Sequence, residues 1–134
     1  TMLTLWCLFG SPLMLGCELT KLDDATLALL TNRDVLSMLT PDCKPHQVCL
    51  DDEKAIWCAY NAVTGEHFAA FFNLSDETHT IHCDIETLHV GDEPCAHKDA
   101  SLTELWSKEK TSVSGSAISV TPPAHGCLVF RVEN

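Results

Sequence analysis

A short, wholly apolar run, Leu13-Met14-Leu15, stands between Pro12 and Gly16 and constrains this chain more than any other feature. With no polar residue to face water, such a run suits a strand buried on both faces, as in a parallel sheet. Residues 18–24 then turn polar. Ala25-Thr26-Leu27-Ala28-Leu29-Leu30 resumes at helical period, with Asp23 or Asp24 placed to accept from the free N–H groups of the first turn. A parallel strand needs neighbours on both sides, and nothing else in the chain alternates strand with helix. Residues 6–38 are therefore expected to be a helix end, a buried strand and a strand-to-helix crossing, the last piece of something larger. Thr1 falls in what reads as mid-helix, so a truncated or fragmentary gene product is expected.

At 134 residues the chain suits one domain, or one small domain plus a fragment, and can bury roughly two thirds of its unfolded surface. Hydrophobic content of 46% against 20% charged residues fits an ordered protein. A formal charge of −11 with no Lys/Arg cluster argues against nucleic acid or an anionic membrane surface as partner. A neutral or small ligand suits that field. None of the eight cysteines shows Cys-x-x-Cys spacing, and Cys58, Cys83 and Cys127 lie in apolar runs. Reduced thiols in a cytoplasmic protein are expected, with a secreted, partly disulfide-bonded form as the alternative. Residues 2–17 imitate a lipoprotein leader ending at Cys17, but no positive charge precedes the apolar run and Pro12 interrupts it. The run is also too short to span a bilayer.

After Met38 the pattern changes. Thr40-Pro41-Asp42 and Lys44-Pro45 break the helix, which places a boundary between residues 1–42 and 43–134. From Gln47 onward short strands are expected at 55–61, 67–73, 78–85, 102–107, 117–120 and 127–132. Val63-Thr64-Gly65-Glu66 forms a turn in which Gly65 takes a positive φ. Ile81, Cys83 and Ile85 share one face of the 78–85 strand. Short strands at this spacing, with no helical pattern between them, predict an antiparallel sandwich.

Residues 6–16 (WCLFGSPLMLG) followed by 22–36 (LDDATLALLTNRDVL) resemble the eighth strand and eighth helix of family 27 glycoside hydrolases, chiefly α-galactosidases or melibiases. Glu104-Leu105-Trp106-Ser107 is similar to that family's Asp-Leu/Val-Trp-Ser/Thr strand. The 120–126 turn (VTPPAHG) and 128–132 (LVFRV) resemble its closing strand pair. The matches run in order from Trp6 to Val132. Two departures stand out: Cys17-Glu18 where the family usually has Asn or Gly then Asp, and residues 34–41, which break off differently.

The resemblance implies a mainly β fold, with the last β/α element of a TIM (β/α)8 barrel over 1–42 and a C-terminal antiparallel β-sandwich over 43–134. It implies retaining hydrolysis of terminal α-galactosides by the whole enzyme, reaching substrate through the barrel and using no cofactor. Retention needs two carboxyl groups about 5 Å apart. In this family both are aspartates on earlier barrel strands, so no catalytic residue is expected here and the chain alone should be inactive. A stand-alone β-sandwich that binds carbohydrate or serves structure is the alternative.

Glu18, just after the buried strand at the face where a barrel's site opens, is a weak candidate for substrate contact. Asp23 and Asp24 read as capping residues, and Asp51, Asp52 and Glu53 as a solvated turn. His79, His82 and Cys83 could suggest a metal, but strand alternation sends His82 to the opposite face, so no metal site is expected. Trp57, Tyr60, Phe68, Phe71 and Phe72 read as core or barrel-packing residues rather than a sugar platform. Leu5, Leu8, Leu13, Leu15, Leu27 and Leu30 are expected to lack partners and form an apolar patch that drives self-association into a homo-oligomer, while 46–134 could fold alone.

Overall fold

Alternation and turn chemistry set the framework. β1 (Cys43–Leu50), β2 (Lys54–Asn61) and β3 (His67–Asn73) form an antiparallel meander. Asp51 makes the first turn, its carboxylate accepting from the backbone of Glu53 at 2.9 Å and Lys54 at 2.8 Å. Asn61 makes the second by accepting from Val63 and Thr64, and Gly65 takes φ 73°, as expected. β4 (Ile81–Asp84), β5 (His89–Val90), β6 (Glu93–Pro94), β7 (Ser101–Glu104), β8 (Lys110–Ser112), β9 (Ala117–Val120) and β10 (Cys127–Glu133) follow. The computed structural model describes residues 1–113 and 115–134.

The main sheet has order β1-β2-β3-β10-β7-β8, all antiparallel, while β4 pairs with β9 and β5 with β6. The main sheet buries both faces. On one, Ile56, Cys58, Ala69, Phe71 and Phe130 meet Ile81, Cys83 and Ile118 of the β4–β9 layer, making the sandwich. On the other, Ala55, Ala59, Phe68, Phe72, Leu105 and Val129 are capped by the N-terminal segment. That two-sided burial explains the near-continuous apolar character of β3. The architecture is mainly β with antiparallel sheets, as expected, and among the described residues it closes no barrel.

The N-terminal segment comprises α1 (Met2–Leu8), α2 (Asp24–Leu30) and α3 (Arg33–Leu36). Asp23 caps α2, accepting from Thr26 N at 2.6 Å, which keeps its carboxyl below the usual range. Asn32 caps α3 by accepting from Asp34 and Val35.

Three expectations need correction. The buried strand over 13–15 is absent: residues 11–16 form no strand, Met14 is 81% exposed and Leu15 44%. Among the described residues no strand lies beside them, so their backbone has no ladder partner, and the Pro12 carbonyl accepts instead from Trp6 Nε1 at 2.8 Å. Leu8 does not lack partners; it is fully buried with Cys7, Val35 and Met38 against the main sheet. For the same reason residues 46–134 do not carry a complete core, because one face of the sheet is closed by residues from 1–42.

His67 begins β3 with its Nδ1 buried and unpartnered, its ring stacked on Tyr60 at 4.7 Å. Burial holds its imidazole below the ordinary 6.5; Glu93 pulls it up and His97 down. The unfolded chain binds a proton near 6.5 that the fold resists, so stability is full above that pH and falls as pH drops toward the lower folded value. Thermal midpoints should decline from pH 7.5 to about 5.5. His67→Gln should flatten that decline, and an unaltered slope would remove His67 as its source.

Candidate functional site

The chemistry-bearing residues of the N-terminal half gather where it meets the sheet. Thr4, fully buried on α1, accepts from Trp106 Nε1 at 3.0 Å and from the Cys127 thiol at 3.4 Å. Asn32 Nδ2 donates to the Leu105 carbonyl at 3.0 Å. Lys108, held at φ 66° after the β7 turn, donates to Asn32 Oδ1, Asp34 Oδ2 and the Leu105 carbonyl. Asp34 also receives Arg131 Nη2 at 3.3 Å. Lys108, and secondarily Arg131, keep the Asp34 carboxyl below its ordinary value despite partial desolvation. Arg131 Nε lies 2.9 Å from Glu66 Oε1, close in distance but not aligned for a hydrogen bond. This network fixes α3 on β10 and the β7–β8 turn.

Glu104 anchors the sheet side. It is 4% exposed, and its carboxylate accepts from Trp106 N at 2.9 Å, Ser107 N at 2.6 Å and Val129 N at 3.2 Å. The acid-x-Trp-Ser pattern noted in the sequence thus has a physical basis. The acid caps the turn that aims Trp106 at Thr4. Beside it, Met2, Leu3, Leu29, Leu30, Trp106 and Leu128 line an apolar groove of about 730 Å³.

Glu18 lies apart from this cluster. It precedes a short 3₁₀ turn (Leu19–Lys21), accepts from Thr20 Oγ1 at 3.0 Å and pairs with Lys21 at 3.0 Å, both side chains well exposed. Neither partner is a second carboxylate, so this pair lacks the geometry of a retaining acid/base–nucleophile site. His82 faces outward onto Ser119 at 2.8 Å, while Cys83 points into the core and His79 meets Ser75 at 3.1 Å. Among the described residues no three His, Cys, Asp or Glu side chains converge as metal ligands. Phe68, Phe71 and Phe72 are core residues. Trp57 packs edge-on against Phe9 at 4.8 Å, and Tyr60 covers His67. His125 takes φ 52° in its turn and meets Asp76 at 2.8 Å. Among the described residues no helix is long and apolar enough to cross a membrane.

Sequence reasoning missed the Asn32–Lys108–Asp34–Arg131 network. The one available signal was the Asn32 cap, because the network's other partners lie 73 or more residues away.

The profile of the alpha galactosidase C-terminal beta sandwich domain matches residues 51–132. Alpha-galactosidase A of Cellvibrio japonicus is 24% identical over 137 residues, covering 97% of this chain and 34% of its own length. Among solved structures, a GH27 β-L-arabinopyranosidase from Geobacillus stearothermophilus superposes with a TM-score of 0.86 at 28% identity, covering 99% of this chain and 29% of that one. The α-galactosidase I of Mortierella vinacea shares the fold, with a TM-score of 0.82 at 18% identity over 97% of this chain and 34% of its own. The chain spans about a third of the length of these relatives.

Proposed function

This chain belongs to the family of α-galactosidase C-terminal β-sandwich domains of family 27 glycoside hydrolases, and from that membership we propose that it completes and braces a catalytic barrel rather than performing chemistry itself. Residues 11–16 supply the last barrel strand, α2 and α3 the crossing behind it, and the sandwich buttresses both. The substrate is a terminal α-galactoside, hydrolysed with retention by carboxylates that the barrel provides. Glu18, at the C-terminal end of the 11–16 segment, is the residue of this chain best placed to line the barrel mouth. A cytoplasmic setting belongs to the same reading, supported by eight unpaired thiols. Left without its barrel, the chain self-associates through the exposed apolar segment.

The observation that carries this reading is the mismatch within the N-terminal segment. Cys7, Leu8, Val35 and Met38 are fully buried against the sheet, yet Met14 and Leu15 between them stand in solvent. An apolar segment held out by two docked anchors is shaped to receive neighbours. Assay with an aryl α-galactoside tests it. The purified chain should show no turnover. Fused behind the barrel of Cellvibrio japonicus α-galactosidase A, in place of that enzyme's own C-terminal part, it should give activity. Turnover by the chain alone would contradict the proposal, as would a folded but inactive chimera.

A further inference from the structure

Four of the eight cysteines share one core. Cys58, Cys83 and Cys95 are buried between the main sheet and its cover, and half-buried Cys49 packs against them. Two of them are brought together by separate anchors. Cys58, on β2, stands opposite Ala69 of β3, and its thiol donates to the His89 carbonyl at 3.1 Å. Cys95 follows β6, and its thiol donates to the carbonyl of Phe68, next to Ala69, at 3.3 Å. The Cys95 N–H also donates to the carbonyl of Leu88, the residue before His89, at 2.6 Å, so both sulfurs sit over the same stretch of the β2–β3 ladder. Cys83 is engaged elsewhere, with Thr87 Oγ1 at 3.4 Å.

We propose that Cys58 and Cys95 form a redox modification site, closed to an intramolecular disulfide by a peroxide and reopened by thiols, that staples β2 to the segment behind the β5–β6 hairpin. The Cys58 sulfur attacks one peroxide oxygen; the O–O bond breaks, the departing hydroxide takes the thiol proton as water, and Cys58 becomes a sulfenic acid. Cys95 sulfur then displaces the sulfenic oxygen, which leaves as a second water while the S–S bond forms. Two thiols lose two electrons and two protons, and one peroxide becomes two waters.

Cys58 is the attacking group because its thiol is held by the His89 carbonyl of the short hairpin and comes free when that hairpin lifts, whereas Cys95 stays bonded to the Phe68 carbonyl of the central sheet. Isolated buried thiols are inert; this one has a resolving thiol in the same core cluster. Access follows from the cover. β5 and β6 are two residues each, so this hairpin is a low-cost site of local opening, and lifting His89 frees the Cys58 thiol.

The test is peroxide titration of the purified chain, followed by N-ethylmaleimide alkylation in denaturant and peptide mass spectrometry. In Cys17→Ser protein the count of alkylatable thiols should fall from seven to five. A Cys58–Cys95 cross-linked peptide should appear about 2 Da lighter than its reduced parts, and dithiothreitol should reverse both changes. The oxidised form should melt about 10 °C higher. In Cys95→Ser, Cys58 should stop at a sulfenic acid that dimedone traps. In Cys83→Ser, the same disulfide should form as in the parent chain. Survival of both thiols at peroxide doses that oxidise exposed Cys17, or a cross-link dominated by another pair, would overturn the proposal.

Discussion

Deleting residues 1–42 should leave 43–134 aggregating, or unfolding at far lower urea than the intact chain, although that span holds every strand. The deletion strips Cys7, Leu8, Val35 and Met38 from the face formed by Phe68, Phe72, Leu105 and Val129. Burying each of those four side chains is worth about 1.5–3 kcal/mol. Exposing most of that set removes an amount comparable with the roughly 5–15 kcal/mol that stabilises a whole domain. The same deletion removes the Thr4 partner of Trp106 and the Asn32 and Asp34 partners of Lys108. Light scattering and urea unfolding measure the result. A monodisperse 43–134 with an unchanged midpoint would show that the N-terminal segment is an appendage, not part of the core. Met14→Asp with Leu15→Lys is the contrast: both side chains are exposed, so the pair should reduce association without lowering the midpoint.

Glu104→Ala should cost about 3–5 kcal/mol, because it removes the charged acceptor of the N–H groups of Trp106, Ser107 and the buried Val129. The loss extends beyond three bonds. The turn it caps also places Lys108 on Asp34 and Trp106 on Thr4, so the N-terminal segment loosens with it. Glu104→Gln keeps one acceptor oxygen and should fall between the two. Urea denaturation gives the free energies. A loss below about 1 kcal/mol for the alanine variant would mean that water or relaxed backbone satisfies these donors.

Where structure follows from local pattern, it was legible. The apolar run of β3, the alternation of β9 and β4, and the Asn61–Gly65 turn each contain their own signal within a few residues. β1 was hidden because Pro45 reads as a breaker, yet β1 is an edge strand, where a missing N–H costs no ladder bond. β5, β6 and β8, two or three residues long, are held by distant contacts and carry no periodicity. The 13–15 run misled in the opposite sense: its composition is that of a buried strand, but burial depends on neighbours this chain does not place beside it. The docking network and the Cys58–Cys95 pair join residues 37 to 97 positions apart, a distance that a single sequence cannot bridge without a family pattern.

The long rim of the main sheet has a consequence for how this protein fails. Pro45 offers no hydrogen there, and the register slips between Gln47 and Cys49, which bends the strand away from flatness. The opposite rim, β8, is three residues long. An arriving chain finds no straight ribbon to extend on either side, so fibril growth by strand addition is blocked at both margins. The exposed apolar side chains of Met14 and Leu15 are the surface expected to stick instead. Precipitates of this molecule should therefore be amorphous clumps joined by side chains, which a detergent micelle would cover and disperse.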